Sequence, residues 1–227
     1  CIRDRMYFSG LEDKYPVKYQ KQGSYVGGLF VFESKLTQEF RLHFDEKIAE
    51  MFQSIGIREG SVWIEVFHDG ENYYFNEVGF RYGGSVSIYP VDYFYQINQV
   101  AADIHYALTG ESCISEHTSL IRSTLPRKKY YCIYPVHINA GTISSISGLD
   151  KIAQLENIVY LATTKYLHDR IESSGSFSQV FALVHFVCNT TEECIQTIDR
   201  IHQMLVVFDE HGNNMVNRML DVGKIIF

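Results

Sequence analysis

The chain has 227 residues, of which 46% are hydrophobic, and a formal net charge of −7. A chain of this length and apolar content can bury a real core, and it suits one large or two small domains. Its acidity, with no basic run longer than Arg127 to Lys129, argues against nucleic acid or an anionic membrane as a partner.

The apolar segments are short and interrupted, so none of them predicts a membrane span, and the first residues do not build a secretory signal. We therefore expect a cytoplasmic protein. The chain begins with Cys1 rather than with Met, and residues 1–5 resemble translated adapter sequence more than native protein. No function is drawn from those residues.

Five cysteines occur at residues 1, 113, 132, 188 and 194, and none belongs to a Cys-x-x-Cys pair. Their odd number and scattered spacing argue against a disulfide framework and against a structural zinc site. We expect reduced thiols.

Two helices are predicted in the first half of the chain. The first runs from Thr37, as N-cap, to Ile55, and Gly56 ends it. Its apolar stripe is formed by Phe40, Phe44, Ile48, Met51 and Ile55. The second runs from Asp92 to Leu108 and is closed by Gly110. Its predicted inward face is formed by Phe94, Ile97, Ala101, Ile104 and Leu108.

Between these helices, Ser61 to Phe67 and Asn72 to Val78 are β-rich runs joined by a turn sequence, which predicts a hairpin on which both helices pack. The polar segment from Glu111 to Lys129 marks a predicted subdomain boundary. Strands are predicted beyond it at 130–138, 158–163 and 180–187. A last helix, from Thr191 to Leu205, should turn four apolar residues inward: Ile195, Ile198, Ile201 and Leu205. Such irregular alternation predicts an α+β fold.

The hairpin carries two acids, Glu65 and Glu77, whose cooperation depends on strand register. Residues on a strand alternate between faces, and directly opposed residues share a face. A two-residue turn at Asp69 and Gly70 would pair residue 65 with residue 74 and separate the acids. A three-residue loop with Gly70 left-handed, or any other single bulge, would bring them together. A shared site therefore requires a bulge.

Two carboxylates on one largely aromatic face repel each other and lose hydration, so such a pair usually implies a compensating cation. Mg²⁺ fits, because it takes one or two carboxylates together with nucleotide phosphates. Arg81, four residues after Glu77, is a candidate donor to those phosphates. The alternative is an exposed face with solvated acids and an ordinary surface ion pair.

The hairpin resembles the carboxyl-terminal lobe of the ATP-grasp superfamily, where one strand ends hydrophobic-Glu-hydrophobic-Phe/Leu and the next supplies Glu-x-Asn-x-Arg. Ile64-Glu65-Val66-Phe67 and Glu77-Val78-Gly79-Phe80-Arg81 stand in that order. The resemblance extends over Phe40 to Gly110. Residues from Ser147 to Met215 are similar to the small carboxyl-terminal domain of the biotin-carboxylase-like and carbamoyl-phosphate-synthase-like members.

The resemblance implies an antiparallel ATP-grasp lobe with packed helices at residues 36–125, after the end of the central region at 1–35. A small α+β domain at 126–227 would follow. The lysines and hinge that family members place earlier are expected upstream, so this chain is interpreted as a carboxyl-terminal part that is not competent alone.

The resemblance also assigns roles to four residues. Glu65 and Glu77 would bind the Mg²⁺ ions that bridge the ATP phosphates, and Arg81 would be catalytic by offsetting charge on the transferring phosphoryl group. Phe67 would form part of the floor of the adenine pocket. The family chemistry activates a carboxylate as an acyl phosphate and joins it to an amine or another nucleophile. The implied partners are small-molecule carboxylates and amines, and a homo-oligomer is left open.

One residue departs from the family pattern. Gly79 stands where the family usually has a metal-binding Asn, so the second Mg²⁺ would lose a ligand. Beside the ligase hypothesis we therefore keep a catalytically silent ATP-grasp-like binding or scaffold protein. A third hypothesis is an unrelated α+β interaction module with a tyrosine-rich surface, since the chain has 16 tyrosines.

Overall fold

The computed structural model describes residues 7–57, 59–84, 86–113 and 129–227. These residues form two compact units, the first with residues 7–10 and 36–113 and the second with residues 11–35 and 129–227. Residues 1–5 and most of the predicted boundary segment at 111–129 lie outside the described residues. The domain limits at 35 and 125 stay a prediction.

The described residues contain both strands and helices. The strands are β1 (Glu12–Lys18), β2 (Tyr25–Phe32), β3 (Trp63–His68), β4 (Tyr73–Gly79), β5 (Tyr130–His137), β6 (Gly141–Ser147), β7 (Ile158–Thr163), β8 (Arg170–Ile171), β9 (Val180–Cys188) and β10 (Val206–Asp209). The α-helices are α1 (Thr37–Ser54), α2 (Ile88–Tyr95), α3 (Gln99–Thr109), α4 (Leu149–Ala153) and α5 (Thr191–Met204). This content confirms the predicted α+β class.

Helix α1 forms where its apolar periodicity predicts it, but it buries a different stripe. Phe40, Ile48 and Phe52 are buried, whereas Met51 is 43% exposed and Ile55 is 66% exposed. The prediction for these last two residues is wrong. The buried stripe continues from Ile48 to Phe52 instead of Met51, and Ile55 lies beyond the helix, which ends at Ser54 before Gly56 turns the chain away with a φ of 80°. The N-cap is Leu36 rather than Thr37, so that prediction is also wrong.

The predicted second helix is two helices. Gln96 adopts a left-handed conformation with a φ of 57° and ends α2, and the Asn98 side chain then caps α3 by accepting from the backbone N–H of Ala101 at 3.0 Å. This break turns α3 about its axis relative to a continuous helix, so the inward face predicted for it is wrong: Ala101, Ile104 and Leu108 are exposed and Ala102 is buried instead. Gly110 closes α3 in the left-handed conformation, as predicted.

The second unit is built on an antiparallel sheet of five strands in the order β1-β2-β5-β9-β7. Helix α5 adds Ile198 and Ile201 to a core that includes Val184 and Phe186 of strand β9, which lies between β5 and β7. The predicted inward face of α5 is confirmed. Within the described part of the chain, no helix is long and apolar enough to cross a bilayer.

Candidate active site

Glu65 lies directly opposite Glu77 in the β3–β4 hairpin. The pairing shifts by one residue between Glu65 and Val66, because β4 accommodates Asn76 as an extra residue between the partners of these two positions. Without the shift, Glu65 would face Asn76 and Glu77 would point to the other side. The bulge that the sequence requires is therefore present, although it lies in β4 and not at Gly70.

The bulge also changes which aromatic residues share the face of the acids. Tyr73 and Phe75 lie on the opposite face and pack against α1, where the Phe44 ring centroid stands 5.4 Å from Tyr73 and 5.2 Å from Phe75. Strict alternation along β4 predicts that Tyr73 and Phe75 share the face of Glu77, and that prediction is wrong because Asn76 is an extra residue between them and Glu77. Helix α1 thus packs on part of the other face, and Glu65 and Glu77 lie on the face away from α1.

The turn of the hairpin is held by one carboxylate. Asp69 accepts hydrogen bonds from the backbone N–H groups of Asn72 at 2.8 Å and Glu71 at 3.0 Å and from the Tyr74 hydroxyl at 2.9 Å. These bonds lower the pKa of Asp69 to about 2. The turn spans residues 69–72, since His68 pairs with Tyr73. Because the turn is fixed, the pairing of β3 with β4 between the turn and the bulge is fixed as well.

The bulged residue contacts one of the acids. The Asn76 side chain donates a hydrogen bond from Nδ2 to Oε2 of Glu65 at 2.7 Å. This bond orients one carboxylate oxygen of Glu65. Glu77 is exposed. The pair therefore has the acceptor atoms that a hard, oxygen-preferring cation such as Mg²⁺ uses.

Trp63, which the sequence analysis did not single out, organises the end of this face. It pairs with Gly79, and a Cβ built on Gly79 would stand 2.1 Å from the indole nitrogen. The guanidinium carbon of Arg81 stands 5.1 Å from the centroid of the Trp63 ring system, within the range of a cation–π contact. Arg81 also donates from Nη1 to the Tyr82 carbonyl at 2.8 Å. Arg81 is thus held by stacking at the edge of the acid pair.

The strand register alone predicts that Trp63 lies opposite Gly79. Residue 63 lies two before Glu65 and residue 79 lies two after Glu77, so any register that pairs the acids also pairs Trp63 with Gly79. A large ring opposite a glycine is the signal.

Arg81 also borders a cleft of about 420 Å³. Its other lining residues are Glu59, Gly60, Ser61, Phe80, Tyr82, Asp103 and Tyr106. The Tyr82 hydroxyl donates to Oδ2 of Asp103 at 2.5 Å, and burial together with this bond raises the pKa of Tyr82 to about 12. Tyr82 therefore stays protonated at neutral pH and fixes Asp103 of α3. The cleft presents a carboxylate and a guanidinium to a small polar molecule.

Phe67 follows Glu65 at the next position on the same face of β3, and its side chain is 59% exposed. A ring this exposed contributes little to the core, so it is available to stack on a ligand. The placement agrees with the role that the resemblance implies, and that role stays a prediction.

No family model and no curated protein sequence matches this chain, but solved structures do. An L-amino acid ligase from Bacillus licheniformis aligns at a TM-score of 0.66 and 21% identity, over 90% of this chain and 53% of that one. A phosphoribosylglycinamide synthetase from Anaerococcus prevotii aligns at a TM-score of 0.75 and 13% identity, over 92% of this chain and 51% of that one.

A third similar structure is the biotin carboxylase domain of the Hydrogenobacter thermophilus 2-oxoglutarate carboxylase, solved with MgADP, ADP and bicarbonate. It aligns at a TM-score of 0.67 and 12% identity, over 90% of this chain and 43% of that one. This chain has the ATP-grasp fold. It spans about half the length of these ATP-grasp proteins. At 12 to 21% identity the likeness establishes the fold.

Proposed function

We propose that this chain is the Mg-ATP-binding part of an ATP-dependent ligase that joins a carboxylate to an amine or a similar nucleophile. The observation that carries the proposal is the bulge at Asn76, which places Glu65 opposite Glu77 on the face away from α1. A regular hairpin would have separated them.

Each residue of this face would bind a different part of the nucleotide. Glu65 and Glu77 supply carboxylate oxygens to Mg²⁺, and Phe67 supplies a flat apolar surface for the base. Arg81, fixed by the Trp63 ring, places a permanent positive charge beside the phosphates. Phosphoryl transfer depends mainly on such positioning and electrostatic stabilisation.

The comparisons support the same chemistry. One similar structure is an L-amino acid ligase, and another was solved with MgADP. In the proposed reaction the carboxylate substrate takes the γ-phosphoryl group to form an acyl phosphate, ADP leaves, and the amine then displaces phosphate.

The test is Mg²⁺-dependent ATP binding and turnover by the full-length protein. Glu65→Gln and Glu77→Gln remove one negative charge each without changing side-chain length, so we expect each to weaken Mg-ATP binding by roughly 10-fold or more. Binding of ATP measured with EDTA present should change much less. Calorimetry gives both affinities.

Glu71→Gln is the matched control, because Glu71 lies in the turn of the same hairpin and is exposed. We expect it to bind Mg-ATP as the unaltered protein does. Equal Mg²⁺-dependent binding and turnover in all three variants would refute the proposal.

A silent ATP-grasp-like binding protein is the second candidate, and the Trp63–Gly79 pair favours it. The indole occupies the volume into which a side chain at residue 79 would project, so residue 79 supplies no ligand to a second ion. Under this alternative the full-length protein binds Mg-ATP with the same dependence on Glu65 and Glu77 but forms no ADP with any carboxylate and amine offered.

A further inference from the structure

Three of the five cysteines meet in the core of the second unit. Cys132 lies on β5, Cys188 is the last residue of β9, and Cys194 lies in the first turns of α5. The Sγ atom of Cys132 stands 3.6 Å from that of Cys188 and 3.9 Å from that of Cys194, and all three sulfurs lie within 4.8 Å of one another. We call this group the thiol cluster.

Strand register and helix placement produce the cluster. Cys132 pairs with Phe186 while Tyr130 pairs with Cys188, so the two strand cysteines are diagonal neighbours on one face of the sheet. Cys194 comes from the helix that packs on that face. Cys188 and Cys194 lie 56 and 62 residues after Cys132 in the sequence, which is why the spacing of the cysteines gives no sign of the cluster.

The spacing of the sulfurs matches that of a metal centre. A sulfur ligand stands about 2.3 Å from an ion such as Zn²⁺, so three sulfurs around one ion stand about 4 Å apart. The cluster shows 3.6 and 3.9 Å for two of its three pairs. These two pairs are within tenths of an ångström of that spacing, and the third pair lies within 4.8 Å.

The cluster is buried yet has a route to solvent. Cys132 and Cys194 are 0% exposed and Cys188 is 2% exposed. Cys188 lines an open cleft of about 620 Å³ that also presents Asn157, Glu193 and Arg200. An ion can reach Cys188 along this cleft.

The amino-terminal end of α5 places the positive end of a helix dipole near Cys194. A positive potential favours negatively charged ligands in a metal complex. The thiolate is the form of cysteine that binds metals.

We propose that Cys132, Cys188 and Cys194 form a three-sulfur site for a soft metal ion, Zn²⁺ or Cu⁺, that ties β5 and β9 to α5. Thiolate sulfur selects such ions over Mg²⁺. Three metal–sulfur bonds form, the thiols that still carry protons release them to solvent, and nothing is oxidised or reduced. The site is independent of the proposed nucleotide function, because it uses none of the hairpin residues.

The experiment titrates Cd²⁺, a spectroscopic probe for thiolate sites, into the Cys1→Ser, Cys113→Ser protein, which retains only the cluster thiols. We expect one Cd²⁺ per chain with a sulfur-to-metal charge-transfer band, a rise in melting temperature, and displacement by Zn²⁺ or Cu⁺ but not by Mg²⁺. Cys188→Ser in this background should lower Cd²⁺ affinity by at least about 10-fold.

X-ray absorption of the Cd²⁺-loaded protein guards against variants that fail to fold, because it counts ligands in the protein with all three thiols intact. Three sulfur ligands are expected. Absence of the charge-transfer band, fewer than three sulfurs, or unchanged affinity in a folded Cys188→Ser variant would overturn the site and leave the thiols as core packing.

Discussion

Trp63 lies across Gly79 so closely that a single added carbon on Gly79 would stand 2.1 Å from the indole nitrogen. The same ring carries the guanidinium of Arg81 on its face at 5.1 Å. The glycine makes room for the ring, and the ring positions the arginine. Gly79, which departs from the family pattern, thus packs directly against Trp63, two residues before Glu65 on β3.

We expect Gly79→Ala to destabilise the first unit by about 1 to 3 kcal/mol, because the new Cβ overlaps the Trp63 ring, whose indole nitrogen is buried. Trp63→Leu should relieve the overlap, so the double variant should lose less than the sum of the singles. Gly84→Ala is the control, since a Cβ there meets nothing within 4 Å. Urea unfolding measures all four proteins, and additive losses would contradict the coupling.

Trp63→Leu should also weaken Mg-ATP binding, because Arg81 loses the aromatic face that positions its charge. A cation–π contact contributes about 0.5 to 2 kcal/mol, which corresponds to a loss of roughly 2- to 30-fold in affinity. Trp63→Phe keeps an aromatic face and should lose less. Calorimetry on the folded variants compares the two, and equal affinities for Leu and Phe would exclude the stacking role.

Phe67→Ala separates base binding from phosphate binding. Stacking of a base on an aromatic ring contributes about 1 to 3 kcal/mol, so affinity for ATP should fall by roughly 5- to 150-fold. Affinity for Mg²⁺ tripolyphosphate, which has no base, should stay unchanged. Leu42→Ala on α1, where the side chain is 86% exposed, serves as a control for general effects of removing an exposed apolar side chain. A parallel loss for both ligands would contradict the adenine-pocket role.

Two buried histidines predict acid sensitivity in the second unit. His185 contacts the Tyr131 hydroxyl at 3.0 Å and His202 contacts the Tyr134 hydroxyl at 2.6 Å. Burial lowers the pKa of His185 to about 4, and burial together with the Arg218 charge lowers the pKa of His202 to about 4. Both histidines are therefore neutral in the folded protein at neutral pH.

In the unfolded chain these histidines titrate near pH 6.5. Below that value the unfolded chain binds more protons than the folded one, so stability falls as pH drops from about 6.5 to 4 and levels off below the folded pKa. The slope is up to about 1.4 kcal/mol per pH unit for each histidine. Urea unfolding followed by circular dichroism, with amide exchange of β5 and β9, should show it.

His185→Gln should flatten this dependence whatever its effect on stability at pH 7. His211→Gln should leave it unchanged, because the His211 side chain is 76% exposed. A slope that is the same in both variants would assign the acid sensitivity to other groups.

Local sequence patterns predict helices well where a capping residue or a glycine marks the end of the helix. Helix α1 follows its predicted periodicity from Phe40 to Ile48 and ends shortly before Gly56. Helix α5 follows its own from the Thr190 cap, whose side chain accepts from the Glu193 N–H at 3.2 Å. Helix α3 was misplaced because Gln96 is left-handed without being glycine or asparagine, and no local rule marks glutamine as a breaker.

The sequence predicts the candidate site except for the position of the bulge. The alternation rule states that Glu65 and Glu77 meet only with a bulge, but the position of the bulge at Asn76 depends on tertiary packing. Tyr73 and Phe75 must face Phe40 and Phe44 of α1 while Glu77 faces away, and one extra residue satisfies both requirements. The thiol cluster lay beyond sequence reasoning because three separate elements create it.

Trp63 is the only tryptophan in the chain, and it lies on the face that carries both glutamates. Its emission reports on the field of the guanidinium above it and on any charge brought to that surface. The protein thus carries an intrinsic optical reporter at the position where a nucleotide would dock, and ligand titrations can be read without attaching a dye.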